Sequence, residues 1–498
     1  MDTATPDVRR FDNHIAGERV PPAEGRRFLS INPTTGKPWG EFAESGRADV
    51  DRAVRAAAAA FEGPWAKLSA TRRGRLMMAW GERIAGHAEE IAAIETQQNG
   101  KLIAEMRAQA KAVKEFLYYF GGLADKVEGR VIPLERASVL NYTLREPLGV
   151  VGVIVPWNSP TFLTIMNVAP ALAAGNTIVI KPSEVTSASA FELARLAEEA
   201  GIPAGVVNVV TGGREAGEAL VGHERVAKIS FTGSEAGGKA IAAKCGSRLA
   251  GCTLELGGKS ANIVFGDANL DQAEAGVLAG IFAAAGQTCV AGSRAYVHES
   301  VYDEMRERLV RRARAIRLGD PLHAETQMGP VATRAQLEKD RSMVERALKE
   351  GAEALTGARP ARVPGFEEGL FYEPTILSGA GPASFIMNEE VFGPVLALTP
   401  FRDDDEVLQL ANGTRFGLAA GFWTRDLRRA HTLARKLQAG TVWINTYRAL
   451  TFNSPFGGYK SSGLGRANGM EAIDQYLQTK SVWVETSDEV QDPFVLRT

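Results

Sequence analysis

Cys289 is the residue whose neighbours best suit a nucleophile. It follows Gly286-Gln287-Thr288 and three successive alanines at 283–285. Small residues on both sides let a ligand approach the backbone closely. A lone cysteine is more often an inert, buried side chain, and it becomes reactive where amide donors or a positive charge favour its thiolate. The run alone makes Cys289 a candidate nucleophile and leaves the buried alternative open.

Glu255 is a candidate general base. It stands in the apolar run Leu254-Glu255-Leu256, which ends at Gly257 and Gly258. Neighbouring residues of a strand face opposite ways, so this carboxylate need not be buried. Beside a cleft its pKa would rise and it could accept a proton, whereas at a rim it would be an ordinary surface group. Spacing does not decide between the two.

Two regions are candidates for binding a nucleotide. Lys181-Pro182-Ser183-Glu184 follows a buried run, and its lysine and glutamate could hydrogen-bond the hydroxyls of a ribose. The same residues also fit a helix start, with Ser183 or Thr186 as cap and Glu184 near the positive end of the dipole. Gly233-Ser234 lies between strand and helix, where N–H groups can meet a pyrophosphate. Neither this turn nor the glycines around Gly213 have GxGxxG spacing, so an ordinary turn stays open.

Strands and helices alternate through most of the chain. The first 120 residues are predicted to be mainly helical, with helices over 49–60, 72–98 and 102–120. Continuous apolar strands separated by helices then predict a parallel sheet covered on both faces, which binds ligands at its carboxyl edge. These strands are expected at 150–155, 177–180, 206–210, 229–231, 253–256 and 262–265. The alternation resumes over 295–443, which predicts a second α/β unit in this 498-residue chain.

Two further segments look peripheral. Residues 131–144 alternate apolar and polar side chains, which predicts an exposed hairpin or arm. Residues 481–484 form an apolar tail strand, which we expect to pair with the edge of another subunit.

Composition and charge exclude several classes of protein. The net charge of -2, with 45% apolar and 23% charged residues, lacks the excess of positive charge that is typical of proteins that bind nucleic acid or an anionic membrane. Residues 147–180 carry no charge, but proline and asparagine interrupt them, so we expect strand, loop, helix and strand and no membrane span. The first ten residues lack the apolar core of a secretory signal.

The cysteines and histidines fit a cytoplasmic protein without metal. Three cysteines are too few for a disulfide framework and suit a reducing compartment. Cys245 and Cys252 lack the glycine-rich surroundings of Cys289 and are predicted to be structural. Six scattered histidines have no ligand spacing, so no metal site is expected.

Seven runs in this order, spread over nearly the whole chain, resemble the NAD(P)-dependent aldehyde dehydrogenase superfamily. The interval of 34 positions from Glu255 to Cys289 is also typical of that family. The seven runs are Pro156-Trp157-Asn158, Lys181-Pro182-Ser183-Glu184, Phe231-Thr232-Gly233-Ser234, Leu254-Glu255-Leu256-Gly257-Gly258-Lys259, Gly286-Gln287-Thr288-Cys289, Glu390-Val391-Phe392-Gly393-Pro394 and Pro455-Phe456-Gly457-Gly458-Tyr459-Lys460.

The resemblance implies a covalent mechanism with assigned residues. Cys289 would attack the aldehyde to give a thiohemiacetal, Asn158 would stabilise the oxyanion, and hydride transfer to nicotinamide would leave a thioester that Glu255 hydrolyses through water. Glu255 also favours the hydrolytic over the coenzyme-A-acylating type. The residues that the resemblance assigns to the cofactor are Trp157, Lys181, Ser183, Glu184, Gly213, Phe231, Gly233, Ser234, Leu256, Gly257, Glu390 and Phe392.

Cofactor and substrate preferences follow less directly. Glu184 would compete with a 2′-phosphate, which favours NAD while NADP stays possible. The pocket would be mostly apolar and suit a neutral aliphatic or aromatic aldehyde; Arg448 is the exception and could instead clamp the carboxylate of a semialdehyde. By position the pocket includes Leu163, Met166, Thr288, Val290, Arg448, Leu450 and Phe456. Ala467 departs from the family pattern, in which many members carry a glutamate that has been proposed to relay protons.

The family fold implies a division of the chain and its self-association. We expect a Rossmann-like cofactor domain over 1–121 and 146–257, a catalytic domain over 258–460, and a β oligomerisation arm with tail over 122–145 and 470–498. The implied partners are a small aldehyde and further copies of the chain, as a homodimer or homotetramer. Two other functions remain open: a catalytically retired binding protein, and a cofactor-free thiol hydrolase.

Overall fold

The computed structural model describes residues 8–489 and residue 494. Residues 1–7, which hold most of the segment examined for a secretory signal, lie outside the described residues. The described strands are, in chain order, β1 (Arg9–Phe11), β2 (Asn13–Ile15), β3 (Glu18–Val20), β4 (Arg27–Ile31), β5 (Pro38–Ala43), β6 (Val131–Ile132), β7 (Val139–Pro147), β8 (Val150–Ile154), β9 (Thr177–Lys181), β10 (Val207–Val209), β11 (Val226–Thr232), β12 (Gly251–Glu255), β13 (Ala261–Val264), β14 (Arg294–His298), β15 (Glu353–Thr356), β16 (Thr375–Ser378), β17 (Val395–Phe401), β18 (Phe416–Gly417), β19 (Ala419–Trp423), β20 (Thr441–Ile444), β21 (Tyr459–Lys460), β22 (Gly463–Leu464) and β23 (Leu477–Glu485).

Helices separate most of these strands. The described α-helices are α1 (Arg47–Ala60), α2 (Ala70–Gly86), α3 (Ala88–Asn99), α4 (Ile103–Leu123), α5 (Pro160–Ala173), α6 (Ala188–Glu199), α7 (Arg214–Gly222), α8 (Glu235–Gly246), α9 (Leu270–Ile281), α10 (Tyr302–Arg314), α11 (Arg334–Lys349), α12 (Phe385–Asn388), α13 (Asp404–Asn412), α14 (Leu427–Lys436) and α15 (Glu471–Asp474).

The first large sheet has eight strands in the order β22-β12-β11-β8-β9-β10-β2-β3. Its five central strands, β12 to β10 in that order, are parallel. The two edges are antiparallel: β2 joins β10 on one side, and β22 pairs Leu464 with Leu254 and Gly463 with Glu255 on the other. Parallel strands buried on both faces explain the continuous apolar runs of the sequence.

The second large sheet has seven strands in the order β15-β16-β17-β14-β13-β19-β20. All neighbours in it are parallel except β15 and β16. Its core includes Phe265, Val297, Leu396 and Phe422, which are at most 1% exposed. The two parallel α/β units predicted from the alternation of strands and helices are therefore confirmed.

Residues 147–180 form β8, α5 and β9, as the interruptions in that uncharged stretch predict. Within residues 8–489 and residue 494, no helix combines the length and apolar character needed to cross a membrane. The same described residues hold no group of three or more histidine, cysteine or acidic side chains arranged to bind a metal.

One local expectation was wrong: the helix predicted over 72–98 is two helices, α2 and α3, because His87 leaves helical geometry at φ -106° and ψ 17°. The tail strand β23 pairs antiparallel with β7 of its own chain over nine residues. Its other edge has no strand neighbour among the described residues, so its pairing with another subunit stays a prediction. With β6 these strands form a separate three-stranded sheet, which lies where the arm was predicted.

Candidate active site

The carboxyl ends of four neighbouring parallel strands bring the predicted residues to one edge of the eight-stranded sheet. Trp157 and Asn158 follow β8, Lys181 ends β9, Ser234 follows β11, and Glu255 ends β12. A parallel sheet fixes this arrangement, since the ends of its strands meet at the same edge.

Cys289 lies on a turn with unusual backbone geometry. Ala284 and Ala285 have φ of 56° and 51°, a left-handed conformation that costs energy in any residue with a Cβ. Gly286 continues it at φ 71°, and a Cβ there would collide with the carbonyl of Gly393, so this position requires glycine. The turn therefore seats Cys289 against the loop that follows α12.

The thiol of Cys289 is protonated at neutral pH in this environment. Burial is the main cause that raises its pKa, to about 12, and the carboxylates of Glu390 and Glu255 add to it. The backbone N–H groups of Val290 and Cys289 act in the opposite direction. A nucleophile in this state needs a base to take its proton.

Asn158 lies directly against the cysteine turn. Its Nδ2 donates to the carbonyl oxygen of Gln287 at 3.1 Å, and its side chain is buried. Gln287 is itself fixed, because its Oε1 accepts from the backbone N–H of Ala332 at 2.8 Å. The amide of Asn158 has a second N–H that can donate to an oxygen held near Cys289.

Glu255 is a buried carboxylate without a hydrogen-bond donor. It is 3% exposed, and neither carboxylate oxygen has a partner among the described residues. Burial raises its pKa well above the usual value, and the guanidinium of Arg466 counteracts this in part. The alternative of a rim glutamate is thus wrong, since the side chain is inside the protein.

A cleft of about 1940 Å³ opens along the predicted nucleotide residues. Lys181 is buried on its wall, its Nζ lying 3.5 Å from Oε2 of the exposed Glu184. The Oγ of Ser183 accepts from the N–H of Val185 at 3.3 Å within a turn, and Ser187 is the N-cap residue of α6, so the interpretation of Ser183 as the helix cap is wrong. The lining includes Lys181, Glu184, Gly213, Phe231 and Ser234.

Turns at the inner end of the cleft are built from small residues. Ser234 caps α8 by accepting from the N–H of Gly237, and Gly233 donates its N–H to the carbonyl of Glu255 at 3.0 Å. Leu256 continues β12 and donates its N–H to the carbonyl of Ser462 at 2.9 Å. These contacts join the turn after β11, which borders the cleft, to the end of the strand that carries Glu255.

Glu390 and Phe392 reach the site from the second α/β unit. Oε1 of Glu390 accepts from the N–H of Gly258 at 3.0 Å, and a Cβ at Gly257 would overlap its carboxylate. Phe392, at φ 64°, packs edge-on against Trp157 with ring centroids 5.3 Å apart. These contacts place residues of both sheets around one space next to Cys289.

The sequence profile of the aldehyde dehydrogenase family matches residues 20–482. A (Z)-2-((N-methylformamido)methylene)-5-hydroxybutyrolactone dehydrogenase of Acinetobacter baylyi is 44% identical over 98% of this chain and 100% of its own. A betaine aldehyde dehydrogenase of Brucella anthropi is 41% identical over 99% and 100%. The chain belongs to the aldehyde dehydrogenase family.

Solved structures agree with this assignment. An NAD+ complex of an aldehyde dehydrogenase from Bacillus cereus superposes with a TM-score of 0.94 at 41% identity, covering 96% of this chain and 97% of that one. An NAD+ complex of betaine aldehyde dehydrogenase from Staphylococcus aureus gives 0.95 at 36% identity, with 97% of each chain covered. This aldehyde dehydrogenase oxidises aldehydes to carboxylic acids with NAD(P)+.

The residues predicted for the aldehyde pocket belong to different clusters and differ in exposure. Val290 and Phe456 form a buried cluster against which Cys289 packs, and Thr288 precedes the cysteine on its turn. Leu163 and Met166 of α5 belong to the core below the first sheet, at 8% and 2% exposure.

Two residues of the loop after β20 lie farther out. Leu450 is 41% exposed. Arg448 is occupied by protein groups: its Nη1 donates to the carbonyl of Ala279 at 3.1 Å, and its Nη2 lies 3.6 Å from Oε1 of Glu105. These contacts match the loop-anchoring alternative for this arginine.

Sequence reasoning missed a group of side chains that surround this site from the end of α3. Glu95, Asn99 and Lys101 are buried and contact the loop that carries Asn158. One signal was present: Glu95 lies four residues after Ile91, on the apolar face of its helix, where a charged residue is rarely placed without a partner.

Proposed function

We propose that Cys289, Asn158 and Glu255 carry out aldehyde oxidation in this enzyme. The observation that carries this assignment is a buried carboxylate, Glu255, with no donor among the described residues, at the same site as a protonated thiol and an amide with an N–H available to donate. Base, nucleophile and oxyanion donor are the three groups that covalent acyl chemistry requires.

In the first step the sulfur of Cys289 forms a bond to the carbonyl carbon, and the thiol proton passes to Glu255. The carbonyl oxygen becomes an oxyanion, which accepts hydrogen bonds from Nδ2 of Asn158 and the N–H of Cys289. Bound NAD(P)+ supplies the hydride acceptor that turns this thiohemiacetal into a thioester.

Glu255 first releases the thiol proton to solvent. In the last step the ionised Glu255 takes a proton from a water molecule, whose oxygen attacks the thioester carbon while the same amide donors hold the carbonyl oxygen. The carbon–sulfur bond then breaks, the carboxylic acid leaves, and the thiolate of Cys289 takes that proton back from Glu255.

The cleft residues fit a dinucleotide. We propose that Lys181 and Glu184 bind the adenine ribose, that Ser234 and Trp157 lie near the pyrophosphate, and that Glu390 binds the nicotinamide ribose. Lys181 is buried at the cleft wall with Glu184 as its carboxylate neighbour, an arrangement suited to two ribose hydroxyls. Because Glu184 would repel a 2′-phosphate, we propose that NAD is used in preference to NADP.

The aldehyde is proposed to be neutral, aliphatic or aromatic. Val290 and Phe456 give the wall near Cys289 an apolar character. Arg448 already has the Ala279 carbonyl and the Glu105 carboxylate as partners, which disfavours the alternative of a semialdehyde carboxylate. Equal kcat/KM for succinate semialdehyde before and after Arg448→Ala would support the neutral substrate, and a large selective loss would overturn it.

We also propose that the protein is a cytoplasmic homodimer or homotetramer, with the domains divided as the sequence predicts. The sheet of β6, β7 and β23 exposes apolar side chains to solvent, including Val131 at 71% and Trp483 at 63%. Apolar exposure of this kind marks an association surface. All three cysteines are free, which suits a reducing compartment.

Absorbance at 340 nm with NAD and a panel of aldehydes tests the catalytic assignment. Cys289→Ala is expected to bind NAD as the parent does and to form no NADH. Cys252→Ala is the matched control, because it removes another free thiol three residues from Glu255 and should keep its turnover. Turnover by Cys289→Ala would overturn the assignment of the nucleophile.

A further inference from the structure

Three side chains from residues 95–101 grip the loop around Asn158 on both sides of that residue. Nδ2 of Asn99 donates to the carbonyl oxygen of Trp157 at 3.3 Å. Nζ of Lys101 donates to Oγ of Ser159 at 3.3 Å. The residues immediately before and after Asn158 are thus each held by a side chain from a different part of the chain.

Glu95 holds the same loop where it enters α5. Its Oε1 accepts from the backbone N–H of Thr161 at 2.7 Å and from Oγ1 of Thr161 at 2.6 Å. The residue at the N-cap position, Ser159, makes no capping bond of its own. A carboxylate 66 positions away therefore satisfies the helix start and lies at the positive end of its dipole.

These three residues lie inside the protein, at no more than 3% exposure. Burial of Lys101 is the main cause that lowers its pKa, and burial likewise raises that of Glu95. Burial of two ionisable groups costs hydration energy, and apolar side chains at the same positions would avoid that cost. The cleft lining includes none of the three, so cofactor binding does not account for them.

Asn158 has few contacts of its own to fix it. Its Nδ2 donates to one carbonyl, that of Gln287, and its Oδ1 is buried without a partner among the described residues. A donor that stabilises an oxyanion must be held in place before the charge forms, and a displacement of about 0.5 Å already weakens its effect. The orientation of this amide is therefore set by the backbone that carries it.

We propose that Glu95, Asn99 and Lys101 are positioning residues of the reaction, which fix the backbone on both sides of Asn158 and thereby aim its amide at the oxygen bound to Cys289. The inference rests on the proposed role of Asn158 as oxyanion donor. Lys101 also lies 3.4 Å from Oε1 of Glu105, which in turn pairs with Arg448 of the loop after β20.

A double-mutant cycle with Asn158→Ala tests this inference. The rate of the first NADH turnover is measured for Asn99→Ala and Lys101→Met, each in the parent and in the Asn158→Ala background. In the parent we expect a loss of about ten- to a hundredfold, below the 10²–10³-fold effect of removing an oxyanion donor itself. In the Asn158→Ala background we expect less than a threefold further loss, because coupled residues are not additive.

Controls separate positioning from general damage. Asn208→Ala removes an equally buried side chain of β10, whose Nδ2 donates to Ile178 and Gly205, and should lower Tm without lowering the first-turnover rate. The dissociation constant of NAD should stay unchanged in Asn99→Ala and Lys101→Met. Lys101→Arg, which keeps a donor and a charge, should recover part of the rate.

The outcomes distinguish the two proposals. Full losses of the same factor in both backgrounds would overturn the positioning role while leaving Asn158 as oxyanion donor. An unimpaired Asn158→Ala would instead overturn the role of Asn158 itself. If Lys101→Met does not fold, Asn99→Ala and Thr161→Val complete the same cycle, because each removes one contact of the grip.

Discussion

Glu95 and Glu255 are two buried carboxylates that differ in their hydrogen-bond partners. Oε1 of Glu95 accepts two hydrogen bonds from Thr161, at 2.6 and 2.7 Å. Neither oxygen of Glu255 has a donor among the described residues. Burial raises the pKa of both groups, but only Glu95 has hydrogen bonds that counteract it, both from Thr161.

The difference separates a structural carboxylate from a chemical one. Hydrogen bonds from Thr161 hold Oε1 of Glu95 in a fixed geometry at the helix start, while its Oε2 has no partner among the described residues. Glu255 keeps its oxygens free, and its raised pKa makes it a stronger acceptor once ionised. A comparable degree of burial thus serves positioning in one case and proton transfer in the other.

The largest expected effect is on turnover, which replacement of Glu255 should lower far more than replacement of Glu95. Glu255→Gln cannot accept a proton, so steady-state kcat should fall about 10²–10⁴-fold. Glu95→Gln retains an acceptor oxygen for Thr161 and should lose less than tenfold. Steady-state NADH formation measures both, and equal losses would remove the distinction between the two carboxylates.

The pH dependence should follow Glu255 and ignore Glu95. Because the pKa of Glu255 is raised, this base is protonated and inactive at low pH, and kcat/KM should rise about tenfold per pH unit until Glu255 is ionised. The thiol of Cys289, with its own raised pKa, acts in the same direction. Profiles of the parent and Glu95→Gln should have the same shape, and a flat parent profile would contradict the assignment.

Replacement of Glu255 and replacement of Glu95 should change the free energy of unfolding in opposite directions. The folded-state pKa of Glu255 lies above its unfolded value, so stability is lost as pH rises from the unfolded toward the folded pKa. Glu255→Gln should therefore raise the free energy of unfolding by about 1 kcal/mol near pH 8 and by less near pH 4. Glu95→Ala, which leaves the Thr161 donors unpaired, should lower it by about 1–3 kcal/mol. Denaturant unfolding at both pH values checks this.

The sequence predicted the scaffold because local patterns encode it. Apolar runs such as that of β9 mark buried parallel strands whatever their neighbours, and the interruptions at Pro156 and Pro160 gave the strand–helix succession. Local patterns failed at His87, where one turn leaves helical geometry within a continuous apolar periodicity.

The chemistry of the site depends on contacts between residues far apart in the chain, which the periodicity of apolar residues does not reveal. Glu255 pairs with Gly463 of β22, over 200 positions later in the chain. Its pKa depends in part on the charge of Arg466, which is similarly distant in sequence. The grip of Glu95 on Thr161 joins residues 66 positions apart. The family resemblance supplied candidate roles for Cys289, Asn158 and Glu255, but not the residues that position them.

The edge strand β22 has a consequence for biosynthesis. Gly463 pairs with Glu255 and Leu464 with Leu254, so the sheet made largely from the first half of the chain is finished by residues near its end. During translation the side of β12 next to Glu255 stays unpaired until those residues leave the ribosome. A nascent chain therefore carries an open strand edge while residues 256–462 are made, and one that stops short of residue 463 releases a protein with that edge still exposed.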